Sequence, residues 1–92
     1  MRELLYTSRF RKDLRRELKD PRNKNLASEL KFLFDLLVNE VPIPQEFHEH
    51  QLKGNYIGHF ESHLRPDLLI IYRFVEPNEL IAIRLGSHAD LF

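Results

Sequence analysis

Residues 52–73 read LKGNYIGHFESHLRPDLLIIYR, and this stretch decides the fold because a buried strand adjoins the densest group of ionisable side chains in the chain. Leu68 to Phe74 run Leu, Leu, Ile, Ile, Tyr, Arg, Phe. Branched and aromatic residues with a lone charge predict a strand covered on both faces, the central one of a sheet. Just before it stand His59, Glu61, His63, Arg65 and Asp67, and Pro66 closes the preceding element by withholding a backbone donor.

Downstream, Glu76-Pro77-Asn78-Glu79 is a turn signal, so strand 68–74 and a strand over Leu80–Leu85 should form an antiparallel hairpin. Alternation would place Ile81, Ile83 and Leu85 on one face and Arg84 on the other. Upstream, residues 55–61 alternate well enough for a further strand, with Tyr56, Gly58 and Phe60 opposite Ile57, His59 and Glu61. Residues 40–53 carry Pro42 and Pro44 with no steady period and predict an ordered loop.

At the N-terminal end, Glu3–Thr7 is a short strand candidate, with Ser8 as the cap of a helix from about Arg9 to Lys19. Phe10, Leu14 and Leu18 recur every four positions on one face of that helix, basic residues cover the rest, and Pro21 stops it. A second helix should run from Lys24 or Asn25 to about Asn39, with Leu26, Leu30, Leu33, Phe34, Leu37 and Val38 as its apolar stripe. The class is therefore α+β: an N-terminal strand, a two-helix hairpin, then a three-stranded antiparallel sheet with one face left open. At 92 residues, the chain is read as one domain over 1–92.

A formal net charge of zero hides a split. Residues 1–24 hold nine Lys or Arg against four acids, whereas residues 25–92 hold five against ten together with all five histidines. The basic face suits nucleic acid or an acidic protein. With no cysteine there is no disulfide framework, thiolate metal site or cysteine nucleophile. No apolar stretch approaches the roughly 18 residues of a membrane helix, and the charged Met1-Arg2-Glu3 start is unlike a signal peptide, so a cytoplasmic protein is expected.

The ionisable set His48, His50, His59, Glu61, His63, Asp67, Arg84 and His88 permits three chemistries. Histidines suit general acid-base catalysis. Arg84 would serve phosphoryl chemistry as a fixed cation. Three imidazoles or Asp67 would hold a metal. Plain alternatives stand beside these: His48 and His59 as surface polar residues, His63 with Asp67 as a structural pair, Arg84 as an exposed strand residue, and Leu91 and Phe92 as a docked tail. The His48-Glu49-His50 triplet has no third ligand at a standard zinc spacing.

Gly58-His59-Phe60-Glu61-Ser62-His63, then Arg65-Pro66-Asp67-Leu68-Leu69-Ile70-Ile71-Tyr72-Arg73 and Arg84 to Phe92, resemble the YafQ branch of the RelE/ParE toxin superfamily. The likeness spans nearly the whole chain and includes His-x-Leu-x-Gly at His50, Leu52 and Gly54. It implies the toxin of a bacterial type II toxin-antitoxin pair, an mRNA interferase cutting messenger RNA on the ribosome without a metal or other cofactor. It further implies His50, His63, Asp67 and His88 as the catalytic group, with Arg84 holding the scissile phosphate and Phe92 positioning a base. In that reading His63 and Asp67 serve as base and orienting group, and His88 or His50 as the acid. The implied partners are a cognate antitoxin, mRNA and the ribosome, with DNA only indirectly through the antitoxin complex and no membrane. Rival readings are a ParE-like toxin acting on DNA gyrase by protein contact, a metal-dependent hydrolase, and an antitoxin-binding domain without catalysis.

Overall fold

Buried on both faces from Leu68 to Tyr72, the strand Leu68–Val75 is the middle of the sheet, as its apolar run predicts. The computed structural model describes residues 1–92. In chain order the elements are β1 (Glu3–Tyr6), α1 (Ser8–Leu18), α2 (Leu26–Val38), β2 (His50–Gln51), β3 (Phe60–Arg65), β4 (Leu68–Val75), β5 (Glu79–Gly86) and α3 (His88–Leu91). The sheet order is β1-β5-β4-β3-β2, antiparallel except where β1 lies parallel to β5. The α+β expectation holds, with β1 and the short β2 extending the three-stranded core to five.

The helices cover one face. From α1, Phe10 enters the core and Leu14 packs against it, while α2 buries Leu26, Leu30, Leu33, Phe34 and Leu37. These meet Leu68, Ile70 and Tyr72 of β4 and Leu80, Ala82 and Leu85 of β5. Each large side chain buried there contributes about 2 kcal/mol. The N-cap of α1 is Thr7 rather than Ser8: its hydroxyl oxygen accepts from the Phe10 N–H at 2.9 Å.

Two expectations about the segment before β4 are corrected. The strand expected over 55–61 lies further on, because Gly54 and Gly58 take φ of +66° and +85°, a region open to glycine, and break the extended run. Gly54–Tyr56 is a 3-10 turn, and the strand is Phe60–Arg65, so Glu61 and His63 lie within it. The loop 40–53 contains a 3-10 turn at Gln45–Phe47 and then β2.

Strict alternation in β5 also fails. Ile71 pairs with Arg84 and Tyr72 with Ala82, leaving Ile83 as the extra residue of a β-bulge. Leu80, Ala82 and Leu85 therefore face the helices, while Ile83 and Arg84 face the other side. That second face is not bare: Leu69, Ile71 and Leu91 form a small cluster with Leu52, Tyr56 and Ile83 around it.

Candidate active site

Cross-strand pairing sets the side chains of the second face in rows. His50 pairs with Glu61, Glu61 with Ile71, and Ile71 with Arg84, while His63 pairs with Leu69 in the next row. Paired residues share a face, so the bulge that shifts Arg84 brings it into the row begun by His50 and Glu61.

His63 lies at the centre of the imidazoles. Its ring centroid is 5.5 Å from His48, 6.3 Å from His50 and 5.9 Å from His88. Burial holds its pKa below the ordinary histidine value; Glu61 opposes this, and His48, His88 and His50 add to it. Its Nδ1 is buried without a partner. A neutral imidazole in such surroundings is suited to accepting a proton.

His50 is its complement. Its Nδ1 lies 2.8 Å from the His48 carbonyl oxygen, which can only accept, so Nδ1 carries hydrogen. Its Nε2 lies 3.0 Å from Oε2 of Glu61, a carboxyl that is 4% exposed. Both ring nitrogens thus lie against oxygen atoms, Nδ1 against a carbonyl and Nε2 against a buried carboxyl.

His88 opens α3, which Ser87 caps by accepting from the Asp90 N–H while the Asp90 carboxylate accepts from the Ser87 N–H. Asp67 accepts from the His88 backbone N–H and from its Nδ1, and these bonds hold the carboxyl below its usual range, the backbone bond foremost. Nδ1 is thus the protonated nitrogen and Nε2 is free. The expected His63–Asp67 pairing is replaced by Asp67–His88, because the turn at Asp67 faces α3.

Arg84 depends on an acid in α1. β1 pairs with β5 only as far as Ala82, so the edge of β5 beyond that point has no strand beside it. Side chains of the first helix and its cap supply the missing bonds: Thr7 Oγ1 donates to Ile83 O at 2.9 Å, Arg16 Nη2 donates to Leu85 O at 2.9 Å, and Asp13 Oδ2 accepts from the Leu85 N–H at 3.0 Å. Asp13, 1% exposed, also accepts from Arg84 Nε at 2.7 Å and Arg16 Nη1 at 3.0 Å. Burial would push its carboxyl up, but the Arg84 bond, the Leu85 N–H and the two guanidinium charges bring it below the usual range. The same bond raises Arg84 against its burial, helped by the neighbouring Tyr56 hydroxyl. Asp13 occupies only part of the five-donor guanidinium, which leaves donors for a phosphate.

Phe92 is 61% exposed, with its ring 6.4 Å from His88 and edge-on to Tyr56 at 5.7 Å. The structure therefore gathers His50, His63, Asp67, His88 and Phe92 in one chain of contacts, with Arg84 beside Tyr56 at its border. His59 does not join: its Nδ1 contacts the Tyr56 carbonyl at 3.1 Å and closes the turn. Sequence reasoning set His48 aside, gave Glu61 no role and passed over Asp13. The available signal for Asp13 was that it is the lone acid between Arg9 and Arg16, one turn beyond the buried Phe10. No three His, Asp or Glu side chains are placed to share a metal ion. No helix is long and apolar enough to cross a membrane.

Fold and site together define the class, the bacterial toxins of type II toxin-antitoxin systems. Within that class the chain belongs to the YafQ family, whose sequence profile matches residues 2–92. The mRNA interferase toxin YafQ of Escherichia coli strain K12 is 33% identical over 93 residues, covering 99% of this chain and 96% of the relative. A chain in the crystal structure of the E. coli DinJ-YafQ toxin-antitoxin complex matches with a TM-score of 0.85 at 34% identity, covering 99% of this chain and 97% of that one. A metal-bound toxin from Helicobacter pylori matches with a TM-score of 0.87 at 32% identity over the whole of both chains.

Proposed function

We propose that this protein is an endoribonuclease that cuts messenger RNA on the ribosome and so stops translation, as the name mRNA interferase describes for its E. coli relative. The observation that carries this reading is the convergence on His63, an imidazole whose pKa burial lowers, of His50, held 3.0 Å from the Glu61 carboxyl, and the Asp67-aligned His88. His63 takes the proton of a ribose 2′-hydroxyl, whose oxygen bonds the adjacent phosphorus. The bond from phosphorus to the 5′-oxygen breaks, and His50 delivers a proton to that oxygen. The products are a 2′,3′-cyclic phosphate and a 5′-hydroxyl end. Arg84 counters the charge that builds on the phosphate oxygens, His88 presents Nε2 to the same phosphate, and Phe92 stacks on a base. No step requires a metal. DNA, lacking the 2′-hydroxyl, is not cut.

The partner in the resting state is a protein antitoxin, as in the E. coli complex. Arg11, Lys12 and Arg15 on α1 and Lys19 at its C-cap are exposed and make no ion pairs, so an acidic antitoxin segment or ribosomal RNA complements that face. The site of action is the cytoplasm, where ribosomes are.

The test is induced expression in bacteria of the wild type beside His88→Ala, with translation and transcript ends followed, and with the purified protein assayed on ribosomes in chelator. Growth arrest with new 5′-hydroxyl transcript ends in the wild type alone, and cleavage that survives chelation, are expected. Arrest without new ends, or equal ends from the variant, would overturn the nuclease reading.

A further inference from the structure

The segment His48-Glu49-His50 runs antiparallel to Glu61-Ser62-His63, with His50 opposite Glu61 and His48 against His63. Alternation sends the outer residues of both triplets to the site and the middle ones, Glu49 and Ser62, toward the helix side. There they meet on one atom. The Tyr72 hydroxyl, on a fully buried side chain of β4, donates to Glu49 Oε2 at 2.6 Å and is hydrogen-bonded to Ser62 Oγ.

The direction of these bonds follows from the groups. Burial, and then Glu49, push the phenol's pKa up, so it keeps its proton and donates to the carboxylate, leaving its oxygen to accept from Ser62. Every polar group of this chain is satisfied, and it links an exposed loop to the centre of the core. That loop needs an anchor: His48 sits at φ 49°, a conformation that costs a non-glycine residue energy. Two residues beyond Glu49, β2 ends.

We propose that Glu49 is a positioning residue: tethered to the Tyr72 hydroxyl, it holds the loop so that His50 meets Glu61 and His48 packs on His63. The kinetic part of this assignment rests on the nuclease reading, whereas the tether itself does not. His50 carries the proton for the leaving oxygen, so a loop free to shift by an ångström costs turnover rather than substrate affinity.

The test uses the full-length chain in mRNA cleavage on ribosomes, together with ¹⁵N spectra of its imidazoles. Glu49→Ala and Tyr72→Phe should each lower kcat by about 10- to 100-fold with KM unchanged. The double variant should fall no further than either single one, since both cut the same link. Glu49→Gln, whose amide oxygen still accepts from the phenol, should restore most of the rate. In Glu49→Ala the His50 nitrogen resonances should move while those of His88 stay in place. Unmoved His50 resonances or a wild-type kcat in Glu49→Ala would overturn the assignment, and Glu49 is exposed enough for that variant to fold should Tyr72→Phe fail to. A wild-type protein without nuclease activity would sink the nuclease reading, while the resonances would still report on the tether.

Discussion

Asp67 grips His88 twice, at the backbone N–H (3.0 Å) and at the imidazole Nδ1 (2.9 Å), and so fixes both where α3 starts and which nitrogen its first side chain presents. Removing the charge while keeping the shape separates the two effects. Asp67→Asn should leave the fold intact and lower cleavage by about 100-fold, close to the loss in His88→Ala. Thermal melting beside single-turnover cleavage checks this, and a fully active Asp67→Asn would refute it.

Arg84 and Asp13 form the buried ion pair of the molecule, joined at 2.7 Å across α1 and β5. Truncating the acid strands the Leu85 N–H and leaves the guanidinium without its orienting partner. Asp13→Ala should cost about 3 kcal/mol in urea unfolding. Arg84→Lys keeps the charge but loses the planar fork, and cleavage should drop by about 100-fold.

Gly86 is the residue on which α3 turns away from β5. A Cβ there would lie 2.9 Å from Arg16 Nη2 and 2.9 Å from Asp90 Cβ, closer than real Cβ contacts. Gly86→Ala should therefore push α3 outward and destabilise by about 1–3 kcal/mol. Because α3 carries His88, cleavage should fall further than a loss of folded protein explains. Activity per folded molecule, normalised by near-UV circular dichroism, is the measurement.

The pH dependence follows from His63. Its folded pKa lies below the ordinary value of 6.5, chiefly through burial, so in acid the unfolded chain binds this proton more readily than the folded one. The stability it contributes is present above pH 6.5 and is lost as pH falls through the depressed value. His63→Gln should flatten that part of the stability curve, measured as urea midpoints between neutral and mildly acidic pH. If His63 is the base, the acid limb of kcat/KM for the wild type should also fall below 6.5.

What sequence determined was whatever rests on neighbours along the chain. The run Leu68 to Tyr72 marked the middle strand, because a doubly covered strand admits no polar alternation. The stripe of α2 marked the covering helix, because apolar residues at helical spacing have one place to go. Resemblance to the family's motifs around His63, Asp67 and His88 named the candidate group.

Partnership between those groups was decided only by tertiary structure. Asp13 and Arg84 are 71 positions apart, Glu49 and Tyr72 are 23 apart, and Asp67 and His88 are 21 apart. No periodicity reports on contacts at such separations. The bulge at Ile83 shows why: one extra residue reverses the facing of everything after it, sending Arg84 to the site and Leu85 to the core. A strand's pattern says that its side chains alternate, but the hydrogen-bond register with the next strand decides which of them reach the face of the candidate site.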